Sequence, residues 1–269
     1  MESIIIIAVC SVTAIGAVCA AILCIVSKVM YVKEDPRLEK ILECLPGASC
    51  GACGFPGCSG YAKALLYDPN VKTNFCTPGG ETVLKNLSKI LGVEAGEFER
   101  IAAIVHCRGG RETHRRKIDY AGIESCEAAK QLFGGEGACA FGCIGYGDCK
   151  AVCPNNAICM VDGLARINVK NCTGCGLCVR ICPNNLISLE NINTPVFVLC
   201  KNTEKGAIVR KKCTSACLGC GKCARECPVQ NIVIENNLAK IYYETCTGCN
   251  RCAEVCVTGC IQKAYRTGK

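Results

Sequence analysis

The chain has 269 residues with 30 cysteines and 28 glycines but only 8 tyrosines, 6 phenylalanines and no tryptophan, which excludes one large hydrophobic core and favours several small metal-stapled units. Its formal net charge is +8, and residues 200–269 hold 12 basic against 5 acidic side chains, so nearly all the excess is C-terminal. Two histidines, no Gly-x-Gly-x-x-Gly run and no evident nucleophile–base pair leave little for side-chain catalysis or dinucleotide binding.

Ser3 to Ser27 contains no ionisable side chain except cysteine. At ~1.5 Å per residue this run is long enough to cross a ~30 Å hydrocarbon layer with some tilt. Met1-Glu2-Ser3 is acidic and no cleavage site follows, so the expectation is an uncleaved single-pass anchor in the cell membrane rather than a secretory signal. Lys28 and Lys33 at its C-terminal end predict that the bulk of the chain lies on the cytoplasmic face, where thiols stay reduced. Gly16 and Ala20 form a small-xxx-small pair that would let a partner helix come close.

A charged helical neck is predicted from Tyr31 to Glu43, stopped by Leu45-Pro46-Gly47. Cys50, Cys53 and Cys58 follow on a Gly/Pro-rich loop, with Cys76 after 17 more residues. Four thiolates so disposed predict a 4Fe-4S site; zinc is the competing reading, but four-cysteine zinc sites usually pair two C-x2-C arms. Helices are predicted at Tyr61–Tyr67 and Glu81–Leu91, with Gly92 closing the second. Arg108–Lys117 reads as a basic loop carrying His114, both histidines (His106 and His114) as surface residues, Ser125–Phe133 as a short helix, and Cys107 and Cys126 as buried structural thiols.

From Cys139 onward the sequence repeats at an offset of 74 residues. The first copy has Cys139, Cys143, Cys149 and Cys153, then Cys172, Cys175, Cys178 and Cys182; the second has Cys213, Cys217, Cys220, Cys223 and Cys227, then Cys246, Cys249, Cys252 and Cys256, with Tyr146 standing where Cys220 stands. Three of the four runs contain C-x2-C-x2-C-x3-C, the spacing in which the fourth thiolate of each run reaches the partner cluster. Crossed ligation assigns Cys139, Cys143 and Cys149 with Cys182, and Cys172, Cys175 and Cys178 with Cys153. In the second copy it assigns Cys217, Cys220 and Cys223 with Cys256, and Cys246, Cys249 and Cys252 with Cys227. Cys213 is an alternative to Cys220, and Cys260 to Cys256. The spacers between the runs read as hairpins, Ala157–Val161 with Leu164–Ile167 and Ile232–Ile234 with Leu238–Tyr242.

The expected fold class is α+β multidomain: a transmembrane anchor at 1–32, a helical 4Fe-4S domain at 33–92, a linker at 93–138, and ferredoxin-like units of two clusters each at 139–190 and 191–269. Five 4Fe-4S clusters make the expected chemistry one-electron transfer. If each brings about two negative charges, together they outweigh the +8.

The order of parts resembles the B subunit of the Rnf complex, a membrane-bound ferredoxin:NAD+ oxidoreductase that couples electron flow to sodium or proton translocation. The likeness rests on the N-terminal run, on Leu45 to Cys58 with Cys76, on His106-Cys107-Arg-Gly-Gly110, and on Cys139-Ala-Phe-Gly-Cys143-Ile-Gly-Tyr-Gly-Asp-Cys149. It implies a subunit that takes electrons from soluble acidic ferredoxin and passes them to membrane and flavin-bearing subunits, beside a lipid bilayer and without nucleic acid. The charge gradient suggests entry at the basic C-terminal unit, around Lys205, Arg210, Lys211 and Lys212, and exit at the Cys50 site. Competing readings are an electron-transfer subunit of another membrane redox complex (a hydrogenase, a dehydrogenase or a redox-sensor-reducing system) and a non-redox metal-binding protein.

Overall fold

The computed structural model describes residues 2–29, 35–194 and 196–263 and divides the chain into two parts, one ending at Lys40 and the other beginning at Ile41. The first part is dominated by helix α1 (Glu2–Val29), whose described side chains are all exposed. Among the described residues no helix is long and apolar enough to cross a membrane. The side chains at positions 2–5, 8, 9, 11, 12 and 29 lie outside that set, as do residues 30–34 of the expected neck. The expected transmembrane anchor therefore has no support from the described residues. Helix α2 (Pro36–Cys44) starts with proline in its first turn, where no intrahelical N–H is lost, and the Asp35 carboxylate accepts the Arg37 backbone N–H at 2.8 Å.

In the second part, α3 (Gly57–Tyr67) and α4 (Gly80–Leu91) form where the apolar spacing predicts helices. Helix α4 buries Val83, Leu84 and Leu87 on one face and ends at Gly92, whose φ of 69° is the left-handed conformation that glycine adopts without steric cost. The Tyr61 hydroxyl donates to the Lys72 carbonyl at 2.8 Å and ties α3 to the turn leading into Cys76.

Two copies of one small α+β unit follow. In the first, β1 (Ile101–Val105) pairs antiparallel with β4 (Ile187–Asn191), and β2 (Ile158–Val161) with β3 (Leu164–Ile167) forms a hairpin; α5 (Cys126–Gln131), α6 (Asp148–Ala151) and α7 (Leu177–Ile181) carry or flank cysteines. In the second, β5 (Val196–Val198) pairs with β8 (Ile261–Lys263) and β6 (Ile232–Glu235) with β7 (Leu238–Ile241), around α8 (Gly206–Lys212), α9 (Lys222–Arg225) and α10 (Arg251–Glu254). The two hairpins stand at the same offset of 74 residues as the cysteines.

The segment expected to be a linker contains β1, so the first unit's sheet begins at Ile101 rather than at Cys139. The run Ile-Ala-Ala-Ile-Val lacks the alternation of a half-exposed strand because both of its faces are covered. Ala103 and Val105 enter the core of the first unit, while Ile104 packs against Phe197, Leu199 and Tyr243 of the second. Each fully buried residue of that size contributes roughly 1.5–3 kcal/mol, enough to hold the units together.

His106 reinforces the joint. Its backbone N–H donates to the Leu186 carbonyl at 2.7 Å, and its ring nitrogens lie 2.9 Å from the Val198 carbonyl and 2.6 Å from Ser188 Oγ. The expectation of a surface histidine is thus corrected: His106 is partly buried, and burial lowers its pKa. His114, also half-buried, forms an antiparallel bridge with Cys213 and likewise has its pKa lowered by burial.

Candidate iron-sulfur centres

The Cys50 loop bends through left-handed glycines, including Gly51 (φ 69°) and Gly54 (φ 86°), which lets three cysteines crowd one turn. Cys76 closes this site (site I). Burial pushes its thiol up, and the neighbouring thiols of Cys58, Cys53 and Cys50 push the same way. Site I stands against the first ferredoxin-like unit: Arg180 of α7 donates to the Cys50 carbonyl, and Thr77 Oγ1 donates to the Gly174 carbonyl at 3.3 Å.

In the first unit a cavity is lined by Cys126, Cys143, Cys149 and Cys182 (site II). Burial raises the Cys149 thiol to about 12, and the thiols of Cys143, Cys126 and Cys182 act in the same direction. The lining differs from the expected grouping in holding Cys126 and not Cys139. The cause is Asp148 at the start of α6. Its carboxylate accepts the backbone N–H of Cys126 at 3.0 Å and of Glu127 at 3.3 Å, and the Ser125 hydroxyl at 2.9 Å, so α5 is fastened beside Cys149. Burial works to raise the Asp148 carboxyl, but these donors outweigh it and hold it below its ordinary value. A signal was present in the sequence: Tyr146 occupies the place of Cys220, which leaves the first run one ligand short of the compact spacing.

A second cavity is lined by Cys153, Cys172, Cys175 and Cys178 (site III), the four residues that crossed ligation groups. The backbone N–H groups of Ala103 and Ala157 donate to the sulfurs of Cys172 and Cys153 at 3.4 and 3.3 Å. Such donors favour the thiolate form that iron requires.

The second unit repeats the plan. Burial raises Cys223 to about 11, with Cys217, Cys256 and Cys220 acting on it (site IV); burial raises Cys252 to about 11, with Cys246, Cys249 and Cys227 acting on it (site V). Cys220, not Cys213, therefore neighbours Cys217 and Cys223. The Cys260 thiol hydrogen-bonds the sulfurs of Cys217 and Cys256 and lowers the pKa of both, which places it beside site IV without displacing Cys256. Among the described residues no three His, Cys, Asp or Glu side chains are disposed about one metal ion. At sites II and III the sulfurs instead line the wall of a cavity, the arrangement a polynuclear cluster needs, and the amide donors to sulfur fit the same group.

Comparison with known proteins gives a consistent result. Residues 45–78 match a family described as a putative Fe-S cluster, and residues 137–183, 207–257 and, in an overlapping match, 171–231 match 4Fe-4S dicluster domains. The chain is 38% identical over 248 residues to the B subunit of the Na(+)-translocating ferredoxin:NAD(+) oxidoreductase complex of Acetobacterium woodii, covering 92% of this chain and 74% of the relative. It is 38% identical to the B subunit of the proton-translocating ferredoxin:NAD(+) oxidoreductase complex of Clostridium ljungdahlii, over 75% of this chain and 72% of that one. A third relative, the B subunit of the ion-translocating oxidoreductase complex of Methanosarcina acetivorans, is 36% identical over 79% of this chain and 81% of its own.

Proposed function

The chain belongs to the family of B subunits of ion-translocating ferredoxin:NAD+ oxidoreductases, and from that premise we propose how its cysteine sites carry current. It is an iron-sulfur electron-transfer subunit of that oxidoreductase, with tandem 4Fe-4S dicluster domains. The proposal assigns one 4Fe-4S cluster to each of sites I to V, with Cys126 in place of Cys139 at site II. What supports it is the lining of sites II and III by four cysteines each and the mutual influence of the neighbouring thiols at sites I, IV and V. The clusters supply reversible one-electron chemistry; the protein supplies spacing, amide donors to sulfur and exclusion of water.

Electrons enter the second unit from a soluble acidic ferredoxin and leave at site I toward membrane and flavin-bearing partner subunits, NAD+ being reduced elsewhere. Cys220 and Cys249 support this direction, because they are the exposed members of sites IV and V while every cysteine of sites I to III is buried or half-buried. Lys205 at the N-cap of α8 and Arg210 and Lys211 on that helix are exposed in the same unit and suit an acidic partner. Site I touches the loop of site III, which suits an exit at the end of the row.

The proposal includes a bilayer anchor formed by α1. It rests on the uncharged run from Ser3 to Ser27 in the sequence. Carbonate extraction of native membranes tests it, since release of the chain into the supernatant would remove the anchor from the proposal.

Anaerobically purified protein tests the clusters. Iron and acid-labile sulfide in equal amounts, with cubane signals on reduction, are expected; bound zinc without sulfide would sink the redox reading in favour of simple metal binding.

A further inference from the structure

One group of buried and half-buried cysteines lies outside the five sites. Cys107 follows β1, Cys139 opens the first cysteine run, Cys200 follows β5 and Cys213 caps the C-terminal end of α8, yet all four line one cavity. Two come from the first ferredoxin-like unit and two from the second, so the cavity sits at their joint.

Every one of these sulfurs is offered amide hydrogens. The Cys143 backbone N–H donates to Cys107 Sγ at 3.4 Å, and Asn202 Nδ2 donates to Cys139 Sγ at 3.3 Å. Backbone N–H groups of Asn202 and Cys217 serve Cys200, and those of Ser215 and Ala216 serve Cys213. Asn202 is only 1% exposed and is held by Glu204, whose backbone N–H donates to Asn202 Oδ1 at 2.7 Å. A buried amide aimed at a sulfur is costly in a site built for neutral thiols and favourable in one built for thiolates. Burial raises Cys107 to about 12 and Cys200 to about 11, and the Cys139 thiol bears on Cys107, Cys200 and Cys213, which shows the group to be mutually close.

Glycines pack closely around the four sulfurs. A Cβ on Gly109 would stand 3.1 Å from Cys213 Sγ, and one on Gly142 would stand 3.4 Å from the Cys139 carbonyl oxygen. Arg108 and Lys201 line the same cavity and offer positive charge to a group of net negative charge. All four thiols are free, and among the described residues no three metal-ligating side chains are set about a single ion. A four-cysteine zinc site would draw every sulfur to about 2.3 Å from one point.

Position gives this cavity a role. Cys107 Sγ accepts the backbone N–H of Cys143 of site II, and Cys200 accepts the N–H of Cys217 of site IV. Sites II and IV belong to different units, so what lies between them decides whether current crosses the joint. We propose that Cys107, Cys139, Cys200 and Cys213 hold a sixth 4Fe-4S cluster that connects site IV to site II. In each passage one electron leaves site IV, which is oxidised by one unit as the joint site is reduced by one; the joint site is then reset when site II takes that electron, with no bond or proton changing hands. This inference rests on the five-cluster reading and extends it.

The test counts metal in the full chain, purified anaerobically, beside the Cys200→Ala/Cys213→Ala double variant. The wild type is expected to hold about 24 iron and about 24 sulfide per chain, and the variant about 20 of each. Rapid mixing with reduced ferredoxin should then show the clusters of the second unit reduced in the variant while those of the first unit fill at least tenfold more slowly. A wild type with about 20 of each, or with about 20 plus one zinc, overturns the sixth cluster and leaves the five-cluster reading intact. A wild type far below 20 overturns the five-cluster reading itself. Should the double variant lose all its iron, native mass spectrometry of the wild type decides between five and six clusters. A variant that keeps the wild-type count refutes the assignment to these four residues.

Discussion

The carboxylate of Asp148 accepts the backbone N–H of Cys126 at 3.0 Å, and this bond carries a cysteine with no motif of its own into a cavity with Cys143, Cys149 and Cys182. Removing the acceptor frees three donors at the start of α5. Asp148→Ala should cost about 1–3 kcal/mol and lower the iron content by up to one cluster, whereas Asp148→Asn, which keeps one acceptor oxygen, should lose less. Anaerobic thermal unfolding with an iron assay measures both. Unchanged iron in Asp148→Ala would mean that Cys126 is held by packing alone.

Tyr146 in the first copy stands where Cys220 stands in the second, and its hydroxyl donates to Glu136 Oε1 at 2.9 Å. Cys126→Ala is expected to lose the site II cluster. Adding Tyr146→Cys should restore it by recreating the compact spacing of the second copy. Reduced-state EPR and sulfide content report the loss and the rescue; failure of the second change to restore sulfide would show that the two copies shape their first loops differently.

Gly219 has φ 64°, and a Cβ there would meet the Asn237 carbonyl oxygen at 2.6 Å; Gly145 meets the Gly163 carbonyl oxygen at 2.5 Å in the corresponding place. Both cysteine loops therefore lie tight against the turn of the neighbouring hairpin. Gly219→Ala combines a left-handed backbone with a backbone clash and should destabilise the second unit by roughly 1–3 kcal/mol or more. Gly47→Ala, with φ 67° but nothing within 4 Å, should cost only about 1 kcal/mol. Equal melting shifts in the two variants would dismiss the clash.

Lys212 is paired with Glu204, while Lys205, Arg210 and Lys211 are exposed. Replacing the three exposed residues by Gln should slow reduction by ferredoxin about tenfold at low ionic strength and far less at high salt, with Lys212→Gln nearly silent. Stopped-flow reduction across a salt series checks this. Rates independent of these charges would move the docking surface elsewhere.

With few aromatic residues and small two-stranded sheets, the ferredoxin-like units depend on their clusters for cohesion. Chelation with an oxidant should abolish their far-UV circular dichroism, and refolding should require both iron and sulfide. Retention of the native spectrum by iron-free protein would show that packing suffices.

Much of the wiring was legible along the chain. The sets proposed for sites I, III, IV and V follow from short spacings, because ligands two or three residues apart can wrap one cluster without help from the rest of the fold, and the ferredoxin spacing pairs each run's last cysteine with the neighbouring set. The hairpins β2–β3 and β6–β7 were equally readable, as apolar runs broken by turns. The uncharged run from Ser3 to Ser27 is also a property of the sequence alone.

Only the tertiary structure decided the rest. Cys107, Cys126 and Cys200 have no cysteine within a turn's reach, so no spacing marks them; Asp148 brings in Cys126, and the pairing of β1 with β4, packed on Phe197 and Leu199, brings Cys107 to Cys200. The same packing turned His106 from an expected surface residue into a tie between units. Local spacing encodes a ligand set when one loop can close around the metal. Where the set is drawn from separate segments, long-range burial and hydrogen bonding choose its members, and those act only once the chain has folded.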